Sequence, residues 1–86
     1  MQVNEKTFRA LVDAGAVRRV RIIADGARFH VEADTQNGTL IASNGRGMPR
    51  TFGSLDATAR WMHHLGLGSA HLDVSRWQPG QRGLAV

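Results

Sequence analysis

Residues 18–42, RRVRIIADGARFHVEADTQNGTLIA, decide the fold. With Val17 just before it, the first part, 17–24, is crowded with Val and Ile, as a strand requires. Asp25-Gly26 follows, a two-residue hairpin signal, because a type I′ turn needs positive φ at both positions. Residues 27–34 then alternate, with Phe29, Val31 and Ala33 on one side. A turn on Asp25-Gly26 pairs Ile22 with Phe29 and Val20 with Val31 on one face. It pairs Arg21 with His30 and Arg19 with Glu32 on the other. Apolar meets apolar and Arg meets Glu, so turn and pattern agree. Asn37-Gly38 is a second signal of the same kind, leading to a strand over 39–43 with Leu40 and Ala42 inward. Ile23 and Ile41 fall on the polar face, and a homodimer is the expectation if both lie on one patch with Trp61 or the edge of the fourth strand.

Outward from this meander, the N-terminal segment reads as a helix over 4–15. Asn4 caps it, Glu5 suits its positive end, Phe8, Leu11 and Val12 share a face, and Gly15 stops it. On the other side, 43–49 is a Gly- and Pro-punctuated loop, and Arg50, Thr51 and Phe52 form a short strand or an extended lead-in. A second helix is expected over 55–65, capped by Ser54 and stopped by Gly66. Leu55, Ala59, Met62 and Leu65 make its core face. A last strand is expected over 69–74, with Ala70, Leu72 and Val74 inward. The predicted order is α-β-β-β-α-β. The fold class is α+β, a mostly antiparallel sheet with two helices packed on one face. One domain spans 1–77, and 78–86 is expected to be a mobile tail.

The chain has 86 residues, room for one such domain with a modest core. It has no Cys, which excludes disulfides and thiolate metal sites. No apolar run reaches the ~18 residues a membrane span needs. The start, MQVNEKTFRA, lacks the apolar core of a signal peptide, so the cytoplasm is the expected compartment.

No catalytic constellation emerges. His63 and His64 are adjacent on a helix and point apart, whereas paired helical ligands want i,i+3 or i,i+4 spacing. His71, Asp73 and Ser75 share one extended segment, whose neighbours face opposite ways. Asn44-Gly45-Arg46-Gly47 lacks the Lys-Ser/Thr of a P-loop. The expectation is a protein without enzyme activity, cofactor or metal.

Binding candidates remain. The net charge is +4, and ten of the eleven basic residues are Arg. Arg forks suit phosphates, though Arg-rich strands also arise from genome composition alone. The strand face of Arg19, Arg21 and Arg28 is therefore a candidate for weak nucleic-acid contact or a plain solvated sheet. Arg60, Trp61 and His64 on the second helix have the composition of a protein-binding anchor. Trp61 reads equally as a cap on the edge of the core.

Phe8 to Val17 (FRALVDAGAV), Arg50 to Asp56 (RTFGSLD), His64 to Leu67 (HLGL) and Asp73 to Trp77 (DVSRW) carry a resemblance. By these segments the chain resembles the ParC family of partition-associated proteins, encoded near partition genes on plasmids and integrative elements. The resemblance implies a non-catalytic mobile-element accessory protein, whose partners would be the partition proteins. A small inhibitor of a host defence or competitor complex is the rival expectation.

Overall fold

The computed structural model describes residues 1–79. Seven elements follow one another: β1 (Gln2–Val3), α1 (Glu5–Asp13), β2 (Arg19–Gly26), β3 (Arg28–Thr35), β4 (Gly38–Ala42), α2 (Leu55–His64) and β5 (His71–Trp77). The fold class is the expected α+β, with one strand more than the sequence suggested. The five strands lie in the order β1-β4-β3-β2-β5. The β2–β3–β4 meander is antiparallel, while β1 runs parallel to β4 and β5 parallel to β2. The final residues expected to form a mobile tail fall, from 80 onward, outside the described residues.

Both helices are bounded by local chemistry that the sequence announces. Asn4 Oδ1 accepts from the Thr7 amide at 2.8 Å, and Ser54 Oγ from the Ala57 amide at 3.1 Å. Each helix ends in a Schellman motif. In α1 the Gly15 amide donates to the Val12 carbonyl and the Ala16 amide to Leu11. In α2 the Gly66 amide donates to His63 and the Leu67 amide to Met62. Gly15 and Gly66 take φ values of +71° and +95°, a conformation that other residues rarely adopt.

The β2–β3 register is a correction. Ile22 pairs with Val31, Ala24 with Phe29 and Val20 with Ala33, two residues away from the expected pairing. The turn is Gly26-Ala27, and only Gly26 has positive φ, at +65°. That sign pattern is that of a type II′ turn, which asks for Gly first. Asp25 stays in the ladder opposite Arg28, and Arg21 and Arg19 gain Glu32 and Asp34 as partners. A slip of two keeps every side chain on its expected face, because the strand period is two. At the other hairpin the turn is Gln36-Asn37, with Gly38 just after it. Thr35 Oγ1 fixes this turn, accepting from the Asn37 amide at 3.1 Å and donating to the Gly38 carbonyl at 3.0 Å.

One sheet face carries both helices. Phe8 from α1 and Met62 and Leu65 from α2 are buried against Ile22, Ala24, Phe29, Val31, Ala33, Leu40 and Ala42. Phe52, in the expected extended lead-in, exchanges backbone hydrogen bonds with Phe29 and seals one end. Some expected core positions are not core: Leu55, Ala59, Ala70, Leu72 and Val74 are all exposed. Thr58 is buried instead, its hydroxyl donating to the Ser54 carbonyl at 2.8 Å. The reason is lateral. The core direction of α2 runs through Thr58, Met62 and Leu65, so Leu55 and Ala59 flank it, and β5 lies beyond the reach of either helix.

Candidate functional site

The open sheet face, opposite the helices, carries the arginines. A row of paired positions crosses the whole sheet: Gln2, Ile41, Glu32, Arg21 and His71. Arg21 forks onto Asp34, with Nη1–Oδ2 and Nη2–Oδ1 distances of 2.9 Å, and approaches Glu32 Oε1 at 3.6 Å. Glu32 Oε2 in turn lies 2.9 Å from His30 Nε2. Ile23 is buried within this polar face, so its expected patch with Ile41 is not an open one. The hydrogen bond from Arg21 holds the Asp34 carboxyl below its ordinary value, and Asp34 in return raises Arg21.

That shift has a sign. An acid whose value is depressed on folding adds stability above its unfolded value near 4, and the gain is lost as pH falls through the lower folded value. Urea midpoints are therefore expected to drop on acidification below about pH 4. The drop should be smaller in Asp34→Asn, measured by tryptophan fluorescence. Equal drops in both proteins would remove Asp34 from this account.

The structure does not bring Arg19, Arg21 and Arg28 into one basic surface. Arg19 and Arg21 line a wide hollow of about 760 Å³ with Arg18, His71 and the Gly66–Ser69 loop. Arg28 stands at the hairpin end, where its Nε donates to Thr51 Oγ1 at 3.0 Å. Arg21 spends its fork on Asp34, and Arg19 sits opposite that same carboxylate.

Arg60, Trp61 and His64 divide in the same way. Arg60 and His64 face outward, with Arg60 paired to Asp56 at 2.9 Å. Trp61 turns toward α1. Its Nε1–H donates to Glu5 Oε1 at 3.0 Å, and its ring packs on Phe8 (centroids 5.9 Å) and Phe52 (5.5 Å). The Arg50 guanidinium lies over the Phe52 and Trp61 rings at 5.2 and 5.5 Å. Of the two readings of Trp61, this geometry matches the cap on the core's edge.

The apolar surface lies elsewhere, where the helical layer stops short of β5. Leu72 pairs with Ile22, and Trp77 with Gly26, so both point to the helix side. Val74 lies on that side too, opposite Ala24. Neither α1 nor α2 covers them: Leu72 is 39 %, Val74 47 % and Trp77 44 % exposed. Ala59, Met62 and His63 of α2 line a hollow of about 310 Å³ with Ile22 and the Leu67–Ala70 loop that leads into β5. Leu55, one turn before Ala59 on the same stripe, is 40 % exposed. Leu55 and Ala59 of α2 and Leu72, Val74 and Trp77 of β5 are thus apolar side chains left exposed where the helical layer stops, an apolar shelf on this flank of the sheet. The sequence reading missed it because alternation gives a strand's inner face without saying whether anything covers that face. Trp77, just past the expected end of the last strand, was the one available signal.

Among the described residues, no group of three or more His, Cys, Asp or Glu side chains could hold a metal ion. No described helix is long and apolar enough to cross a membrane. Comparison with protein-family models, with curated proteins and with solved structures finds no match.

Proposed function

We propose that this chain is a non-catalytic accessory protein that docks another protein on the apolar shelf between α2 and β5. The observation that carries the reading is the exposure of four large apolar side chains, Leu55 at the start of α2 and Leu72, Val74 and Trp77 along β5. The sequence resemblance to partition-associated proteins supplies the partner class: the partition ATPase or its DNA-binding partner from the same genetic element. A direct grip on DNA draws less support. Three free arginines on phosphates would give a salt slope near −3, and here Arg21 and Arg28 already have partners.

The test is calorimetric titration of each purified partition protein into this one. Leu55→Glu with Ala59→Lys is the informative variant. Both positions are exposed, Glu suits a helix start, and a Glu–Lys pair at i,i+4 is mildly stabilising, so the fold stays intact. Binding by the wild type and at least a tenfold weakening in the variant is the expected outcome, about 1.4 kcal/mol. Equal binding by both, or no binding to either partition protein, overturns the proposal.

A further inference from the structure

Among the described residues the sheet has two edges, and they differ. One is β1, with two residues; the other is β5, with seven. Short edge strands resist pairing with another chain, whereas a long one is a template for it. The residues of β5 also form a self-complementary pattern. Leu72, Asp73, Val74, Ser75, Arg76 and Trp77 run apolar, acidic, apolar, polar, basic, apolar, so the two outer positions at either end complement each other.

The ladder with β2 sharpens this. Ile23 pairs with Asp73 but Asp25 pairs with Arg76, so β5 spends three steps where β2 spends two. Val74 and Ser75 therefore share one ladder position as a bulge. Around that position, Asp73 and Arg76 both point to the open face, and Leu72 and Trp77 both point to the helix side. The Asp73 carboxylate uses Oδ1 to accept from the Ser75 amide at 2.9 Å and the Ser75 hydroxyl at 2.7 Å, leaving Oδ2. Arg76 reaches Asp25 at only 3.4 Å, with both side chains more than half exposed.

We infer that β5 pairs antiparallel with β5 of a second copy of this chain, about a twofold axis through the Val74–Ser75 bulge. The inference rests on the reading of the shelf as an interface and names the first occupant of its edge. In this register Asp73 lies opposite the second copy's Arg76, and Leu72 opposite the second copy's Trp77. Each contact occurs twice, as an isologous interface demands. Opposite charges and apolar pairs directly across strands are the pairs that stabilise a ladder. The five-stranded sheets join into one, and the α2 helices flank the joined β5 strands on one face. The interface is small, so the dimer belongs at micromolar affinity.

Sedimentation velocity at about 100 μM, well above a micromolar Kd, reads the state. The wild type is expected to sediment as a dimer. Asp73→Arg and Arg76→Asp, each placing like charges opposite each other, should sediment as monomers. Mixed in equal amounts they should dimerise again. The arginine introduced in one variant then faces the aspartate introduced in the other, and the native Arg76 of the first faces the native Asp73 of the second. The chain has no Cys, so Ser75→Cys gives a second measurement that does not depend on the charge variants folding. Under mild oxidation it should cross-link into a disulfide dimer, while Gln36→Cys at a hairpin tip should not.

A monomeric wild type, or single variants that stay dimeric, overturns the inference; so does a Ser75→Cys that cross-links no better than Gln36→Cys. A monomer whose partner binding still responds to Leu55→Glu with Ala59→Lys leaves the docking reading intact. A dimer whose partner binding ignores that variant overturns the docking reading alone.

Discussion

Replacing Trp61 with Ala is expected to lower the unfolding free energy by about 3 kcal/mol. The side chain is half-buried, but it joins three parts of the chain. Its ring meets Phe8 of α1 edge-on and Phe52 of the lead-in at a tilt, and its Nε1–H holds Glu5 at the start of α1. Arg50 lies over the same ring and is also 3.6 Å from Glu5. Truncation removes the apolar area, leaves a cavity beside Phe8 and strips Glu5 of its donor. Chemical denaturation followed by far-UV circular dichroism gives the number. A loss below about 1 kcal/mol, small against the cost of truncating a core aromatic, would return Trp61 to the surface and revive it as an anchor. Trp61→Phe should recover most of the loss, since it keeps the ring contacts and gives up only the hydrogen bond.

How far the sequence reached depends on the range of the forces involved. Asn4, Ser54, Gly15 and Gly66 act within one helical turn, and each does what its residue type announces. The meander was legible because alternation places Ile22, Phe29, Val31 and Leu40 on one face whatever the turn. The pairing was less so. Asp25-Gly26 and Gly26-Ala27 are both competent two-residue turns, and they differ by a slip that leaves the faces unchanged. The choice falls to cross-strand chemistry, in which Arg21 prefers Glu32 and Asp34 to His30. β1 escaped because two residues carry no period. It exists only because β4 offers an edge, with the Ile41 and Ser43 amides donating to the Met1 and Val3 carbonyls.

The shelf was beyond sequence reasoning for a different reason. Leu72 and Val74 do point to the helix side, as their alternation predicts. Whether that side is covered depends on how far two helices of nine and ten residues extend across five strands. They cover β4, β3 and β2 and stop short of β5. The same chain geometry that exposes Leu72 ties down the arginines. A charged residue in a sequence looks available until a register supplies its partner, and Arg21 found Asp34 thirteen positions away.

Phe8→Ala should cost more than any other single truncation, about 4 kcal/mol. Phe8 is the only fully buried residue of α1, with Leu11 and Val12 half-buried beside it. A helix of nine residues does not hold its shape alone in water, so α1 persists because that one ring is packed. β1 precedes α1 directly, and its pairing with β4 comprises only Gln2 with Ile41 and Val3 with Ala42. Loss of the ring should therefore release β1 and α1 together, with the β2–β3–β4 meander opening at higher free energy. Amide hydrogen exchange separates the two levels. In Phe8→Ala the Ala14 amide, which donates to Ala10, and the Ser43 amide, which donates to Val3, should lose protection in step. The Arg18 amide, which donates to Asp34 inside the meander, should keep more of it. Uniform loss at all three would instead make the domain a single cooperative unit, with α1 as much a part of it as the sheet.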